Sequence, residues 1–125
     1  MKYSIDKKDS YLILTIKEEK IDSMIAPELK SELIKLNTNG EQYIVLDLSQ
    51  VNYIDSSGLS SILVGKRLCG NAGGKMILSN INPHVDKLLE ISQLKTILDI
   101  VPNIDEAVQF VRLSELENEL KKEEK

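Results

Sequence analysis

Tyr43-Ile44-Val45-Leu46-Asp47-Leu48 is a short, nearly continuous apolar run, and it limits the fold more than any other stretch. A strand with one wet face alternates apolar and polar residues. A strand that is apolar at nearly every position is covered on both faces, as in a parallel sheet. Parallel neighbours need long crossovers, and helices are the usual crossover. The flanks agree. Ile25, Leu29, Leu33 and Leu36 recur at helical spacing before the run, and Leu59, Ile62, Leu63 and Cys69 share one helical face after it. Gly65 lies along that second face and suits close packing on a sheet.

The remaining elements follow from local chemistry. Tyr11-Leu12-Ile13-Leu14-Thr15-Ile16 is β-branched, aromatic and bounded by charge, and reads as a strand; Ser4-Ile5-Asp6 is its candidate hairpin partner across Lys7-Lys8-Asp9-Ser10. Pro27 falls in the first turn of the helix that begins near Ile25, where its missing N–H costs little. Asn37-Thr38-Asn39-Gly40 stops that helix, and Asn71-Ala72-Gly73-Gly74 stops the next, before a strand at Lys75-Met76-Ile77-Leu78-Ser79. Asn82-Pro83 places a cap before a preset first helical residue, opening a helix that buries Val85, Leu88 and Leu89. Thr96 to Val101 reads as another strand, stopped by Pro102. Asn103 to Glu106 then has capping-box spacing for a last helix using Ile104, Val108 and Val111. The sum is an α/β fold: a mixed, mostly parallel sheet of about five strands packed with about four helices.

At 125 residues the chain fits one domain with a real core. That core is aliphatic, because aromatics are 4% and Trp is absent, which argues against a platform for stacking bases or sugars. A net charge of −4 without a basic stripe argues against direct nucleic-acid binding. Cys69 is alone and forms no internal disulfide, as suits a reducing cytosol. Met1 to Asp6 has no apolar signal core, and no run approaches the ~20 apolar residues that span a bilayer, so a cytoplasmic protein without membrane insertion is expected. The domain is expected over residues 1–111. Residues 112–125 are dominated by Glu and Lys and read as a charged helical extension, with Leu113, Leu116 and Leu120 continuing a helical stripe and Glu117–Lys121 in the favourable order. A solvated extension is the plain reading, and a partner-binding helix the sharper one.

Asp55-Ser56-Ser57-Gly58-Leu59 joins the end of a strand signal to the start of a helix. Unpaired N–H groups of a first helical turn carry partial positive charge, so a phosphoryl group on either hydroxyl has donors nearby. Asp55 opposes it with like charge. Asp and Ser are also ordinary helix caps and Gly eases tight turns, so the residues alone leave cap and switch open.

The wider pattern is more specific. Tyr43-Ile-Val-Leu-Asp-Leu-Ser-Gln-Val-Asn-Tyr-Ile-Asp-Ser-Ser-Gly-Leu59 resembles the signature of the STAS domain, shared by sulfate transporters and anti-sigma factor antagonists. Gly73-Gly74-Lys75-Met76, Asn82-Pro83-His84-Val85-Asp86-Lys87-Leu88-Leu89 and Ser92-Gln93-Leu94 resemble the segments that follow in that family. Lys20-Ile21-Asp22-Ser23 and Ala26-Pro27-Glu28-Leu29 resemble its first acidic turn and helix. The resemblance runs from about Ser4 to Val111. It implies the STAS fold and, for a stand-alone chain with intact Asp-Ser-Ser-Gly, an anti-sigma factor antagonist. In such proteins the unphosphorylated form binds an anti-sigma factor that is also a serine kinase, releasing a sigma factor. Phosphorylation of the Ser after the Asp weakens that complex, and a serine phosphatase resets it. Carried onto this chain, the resemblance implies Ser56 as phosphoacceptor and Asp22, Asp55, Ser56, Ser57 and Gly58 as the partner surface. Local polarity alone suits Ser57 equally.

Other chemistries have little support. His84 follows Pro83 in a first helical turn and reads as a surface residue, and Cys69 as a small core residue. One His and one Cys make no zinc site, so no metal is expected. Ser56 lacks a Gly-x-Ser-x-Gly elbow, and Gly70 to Gly74 lacks the Lys-Ser/Thr ending of a phosphate loop. No catalytic residue and no cofactor are therefore expected. The competing reading is a STAS interaction subunit of a stress-sensing assembly or of a membrane transporter; an enzyme using Ser56 as nucleophile is a weaker third.

Overall fold

A computed structural model describes residues 1–123 as β1 (Tyr3–Lys7), β2 (Leu12–Ile16), β3 (Lys20–Ile21), α1 (Ala26–Thr38), β4 (Tyr43–Asp47), β5 (Tyr53–Ile54), α2 (Ser56–Asn71), β6 (Lys75–Ser79), α3 (Pro83–Ile91), β7 (Asp99–Val101) and α4 (Ile104–Glu123). The apolar run is β4, the middle strand of a five-stranded sheet ordered β1-β2-β4-β6-β7. Only β1 is antiparallel, in the expected hairpin, with Tyr3 opposite Ile16 and Lys7 opposite Leu12. The β2–β4, β4–β6 and β6–β7 pairs are parallel. This is the mixed, mostly parallel α/β architecture with four helices that the pattern predicts.

Alternation along the strands divides the core. Leu12, Leu14, Ile44, Leu46, Met76 and Leu78 face one side, where they pack with Leu29 and Leu33 of α1, Ile62 and Cys69 of α2, and Val85 and Leu89 of α3. Val45 and Ile77 face the other side, under Ala107 and Val111 of α4. Each fully buried aliphatic side chain contributes about 1.5–3 kcal/mol, and β4 is buried at every position from Tyr43 to Leu46. Gly65 meets the sheet as expected: a Cβ there would lie 2.6 Å from Met76 Sδ and 2.9 Å from Leu33 Cδ1. Cys69 is buried beside it, and desolvation pushes its thiol up to about 11. Folded protein is therefore expected to resist iodoacetamide at pH 8 and to react promptly in urea; rapid labelling of the native state would contradict the packing.

Three readings change. Thr96-Ile97-Leu98 is not strand, and β7 is only Asp99–Val101, because the amides of Ile97 and Leu98 bond back to Leu94 O at 3.1 and 3.0 Å and leave the ladder. Leu59 and Leu63 sit at the margin of α2; its buried face is Gly58, Ser61, Ile62, Gly65 and Cys69. Leu88 likewise is half-buried, with Val85 and Leu89 beneath it. α4 continues without a break through Arg112 to Glu123, and residues 124–125 of the expected extension lie outside the described residues. Among the described residues no helix is long and apolar enough to cross a membrane.

Candidate functional site

The site is assembled by β3 and β5, two short strands that pair in parallel apart from the main sheet. Lys20 lies opposite Tyr53 and Ile21 opposite Ile54, so the residues that leave the two strands, Asp22 and Asp55, emerge side by side. The Asp55 N–H donates to Ile21 O at 3.2 Å, extending that pairing into the turn.

Both acids are held by backbone. Asp55 is the N-cap of α2, with extended φ and ψ of −94° and −175°, and its Oδ1 accepts from the Gly58 N–H at 3.0 Å. Its carbonyl accepts from Leu59 at 2.9 Å. Asp22 holds the entry to α1: its Oδ1 accepts from the N–H groups of Met24 and Ile25 at 3.0 and 3.2 Å, and its carbonyl takes Ala26 at 2.7 Å. The two helices are then joined by Ser61, whose hydroxyl donates to Ala26 O at 2.8 Å from within the buried interface. The entries of α1 and α2 are thus one rigid surface.

Within it the two hydroxyls differ. Ser56 is exposed at the first residue of α2, and its side chain has no hydrogen bond among the described residues. Ser57 is half-buried, against a shallow depression lined by Ser23, Ala26, Pro27, Lys30, Ser60 and Val64. Ser56 therefore faces solvent, whereas Ser57 faces the depression beside the start of α1. Asp55 already serves Gly58 and Leu59, which leaves the Ser56 and Ser57 N–H groups free to face an anion.

Gly58 has a role different from the turn residue the sequence suggests. It is absent from the residues with positive φ, and a Cβ on it would lie 2.3 Å from Ile21 O and 2.7 Å from Ile54 Cγ2. The helix start presses on the β3–β5 pair there, and only a residue without a side chain allows it.

Met24, Ser23 and Tyr53 border this surface, and no periodicity in the sequence singles them out. Met24 is 79% exposed beside Asp22, and Tyr53 is 41% exposed two residues before Asp55. Neither has a periodic apolar neighbour that would reveal its exposure in the sequence. His84 is exposed, as expected for a surface residue, but its ring centroid lies 6.4 Å from that of Tyr53, so it borders the same surface. Asn82, the cap of α3, also reaches it, donating to Val51 O at 2.9 Å and Asn52 Oδ1 at 3.0 Å.

The cap and charge of Asp55 are separable. Asp55→Ala removes the acceptor for Gly58 and is expected to cost about 1 kcal/mol, whereas Asp55→Asn keeps a good cap and stays within a few tenths. Urea unfolding checks both, and equal stability of all three proteins would mean the cap contributes nothing.

The family model of the STAS domain matches residues 2–107. A candidate anti-sigma factor antagonist of Bordetella bronchiseptica, BtrV, is 33% identical over 100 residues, covering 80% of this chain and 85% of that protein. The anti-sigma-B factor antagonist of Bacillus subtilis is 32% identical over 89 residues, covering 71% and 81%. A crystal structure of a candidate anti-sigma factor antagonist from Thermotoga maritima superposes with a TM-score of 0.81 at 28% identity, covering 88% and 94% of the two chains.

Proposed function

The chain belongs to the STAS domain family, and from that membership we propose that it is an anti-sigma factor antagonist switched by phosphorylation of Ser56. Its unphosphorylated form binds an anti-sigma factor that is also a serine kinase, through the surface built by Asp22, Asp55, Ser56, Ser57 and Gly58 with Met24 and Tyr53 at its border. That binding releases a sigma factor, kinase action on Ser56 ends it, and a serine phosphatase restores it.

The observation that carries this reading is the contrast between the two serines. One hydroxyl is free and exposed at a helix start; the other is half-buried beside α1. Approach of a kinase needs the former. The acids supply the switching chemistry. Transfer of a phosphoryl group adds about −1.5 to −2 charges beside two carboxylates that capping bonds hold in place. The helix N-terminus offsets part of this charge within the free protein. In a complex the same charge lies against a partner site that has just lost a phosphate from its own nucleotide, where desolvation makes it costly.

The test is incubation with the cognate anti-sigma factor and ATP, followed by mass-spectrometric mapping. Phosphate is expected on Ser56, with none after Ser56→Ala and with labelling retained after Ser57→Ala. Phosphate on Ser57, or undiminished labelling of Ser56→Ala, would overturn the assignment.

A further inference from the structure

The last helix carries an apolar face that its own domain does not use. Leu113, Leu116 and Leu120 are 62%, 52% and 51% exposed. At about 100° per residue they form one stripe, roughly opposite the Ala107, Val111 and Ser114 face that packs on the sheet. The helix cannot roll to bury them. Glu115 Oε1 accepts from the Ser10 hydroxyl at 2.6 Å, and the Asn118 amide donates to the Tyr43 hydroxyl at 2.8 Å and to Gly73 O at 2.9 Å. These three bonds fix the distal half of α4 against the β1–β2 turn, β4 and the α2–β6 turn, so the stripe is presented outward on a rigid support.

Leucines at i, i+3 and i+7 are the spacing with which a helix engages another amphipathic helix. The flanking charges identify the partner's chemistry. Asp105, Glu106, Glu117 and Glu123 are exposed and fall within about 70° of the stripe's centre. Lys121 and Lys122 point away from it. Arg112, at the margin, is drawn back over the Tyr11 ring at 5.7 Å. A second copy of α4 laid parallel along the stripe would bring acids against acids at both ends of the seam, and an anionic lipid surface would be repelled by them.

We propose that the outward face of α4 docks a Lys/Arg-flanked amphipathic helix of a partner protein. This surface lies on the side of the sheet opposite α1 and α2, so it is separate from the Ser56 surface and its occupancy does not depend on the phosphorylation state. It provides a second attachment point, suited to tethering the chain within an assembly while the Ser56 surface exchanges partners.

The probe is a fluorescent synthetic helix with leucines at heptad a and d positions and lysines at e and g, alongside the same peptide with glutamates in place of the lysines. Anisotropy with the full chain is expected to give binding of the lysine peptide in about the micromolar range, weakened at least tenfold in L113S/L116S/L120S and severalfold in E106Q/E117Q. Circular dichroism and thermal melting confirm that these exposed substitutions leave the fold intact. Absence of binding, equal binding by the glutamate peptide, or equal binding by the leucine variant would each overturn the proposal. So would a leucine-dependent dimer in sedimentation equilibrium, which would assign the stripe to a second copy.

Discussion

Ser56→Asp is expected to lower affinity for the anti-sigma factor by about 100-fold or more, while Ser56→Ala stays within a few-fold of wild type. The asymmetry follows from the environment of the hydroxyl. Ser56 is exposed and has no hydrogen bond of its own among the described residues, so its removal disturbs little. A carboxylate in its place stands next to the fixed acids Asp55 and Asp22, and a loss of ~3 kcal/mol corresponds to about two orders of magnitude in affinity. Aspartate carries less charge than a phosphoryl group and fewer acceptor oxygens, so true phosphorylation is expected to have the larger effect. Binding titrations of the three proteins check this, and retention of wild-type affinity by Ser56→Asp would mean that charge at this position is not what the partner senses.

Gly58→Ala is expected to be the most damaging conservative change on the surface, at about 3 kcal/mol, or a fall in Tm on the order of 10 °C. The added methyl would meet Ile21 O at 2.3 Å, and that oxygen belongs to the β3–β5 pair and its extension to Asp55. It can yield only by moving the start of α2 or by opening the pair, and either displaces Ser56 relative to Asp22. Gly65→Ala is the control. Its methyl would meet the ends of Met76 and Leu33, flexible side chains that can rotate, so about 1 kcal/mol is expected and no loss of partner binding. Equal destabilisation by the two substitutions, measured by thermal melting, would contradict the distinction between backbone and side-chain obstruction.

The contrast between these glycines also marks what sequence could reveal. Gly65 is legible because it falls on a periodic apolar face, and contact with a sheet follows from that position. Gly58 is present in the motif, but its reason is the approach of a two-residue strand pair, and Lys20–Ile21 and Tyr53–Ile54 are too short to show any period. The same gap hid the juxtaposition of Asp22 and Asp55, which residue periodicity cannot bring together and which the family resemblance implies. β4 and the start of α3 were legible for the opposite reason. A strand buried on both faces and an Asn-Pro cap declare themselves locally; Asn82 Oδ1 accepts from Val85 N at 2.8 Å as its spacing predicts. Thr96-Ile97-Leu98 misled because β-branched composition fits a strand anywhere, whereas the turn after α3 claims those amides first. Asn103 fulfils its half of the capping box, with Oδ1 accepting from Glu106 N at 2.9 Å. The exposure of Met24 and Tyr53 is a tertiary property and has no linear trace.

The central claim is that one phosphoryl group on Ser56 converts a binding surface into a non-binding one. Its most direct measurement is calorimetric titration of the anti-sigma factor with unmodified protein and with protein phosphorylated stoichiometrically at Ser56. The account predicts tight binding of the first and at least a 100-fold weaker association of the second, with wild-type affinity recovered after phosphatase treatment. Equal affinity of the two forms would contradict it.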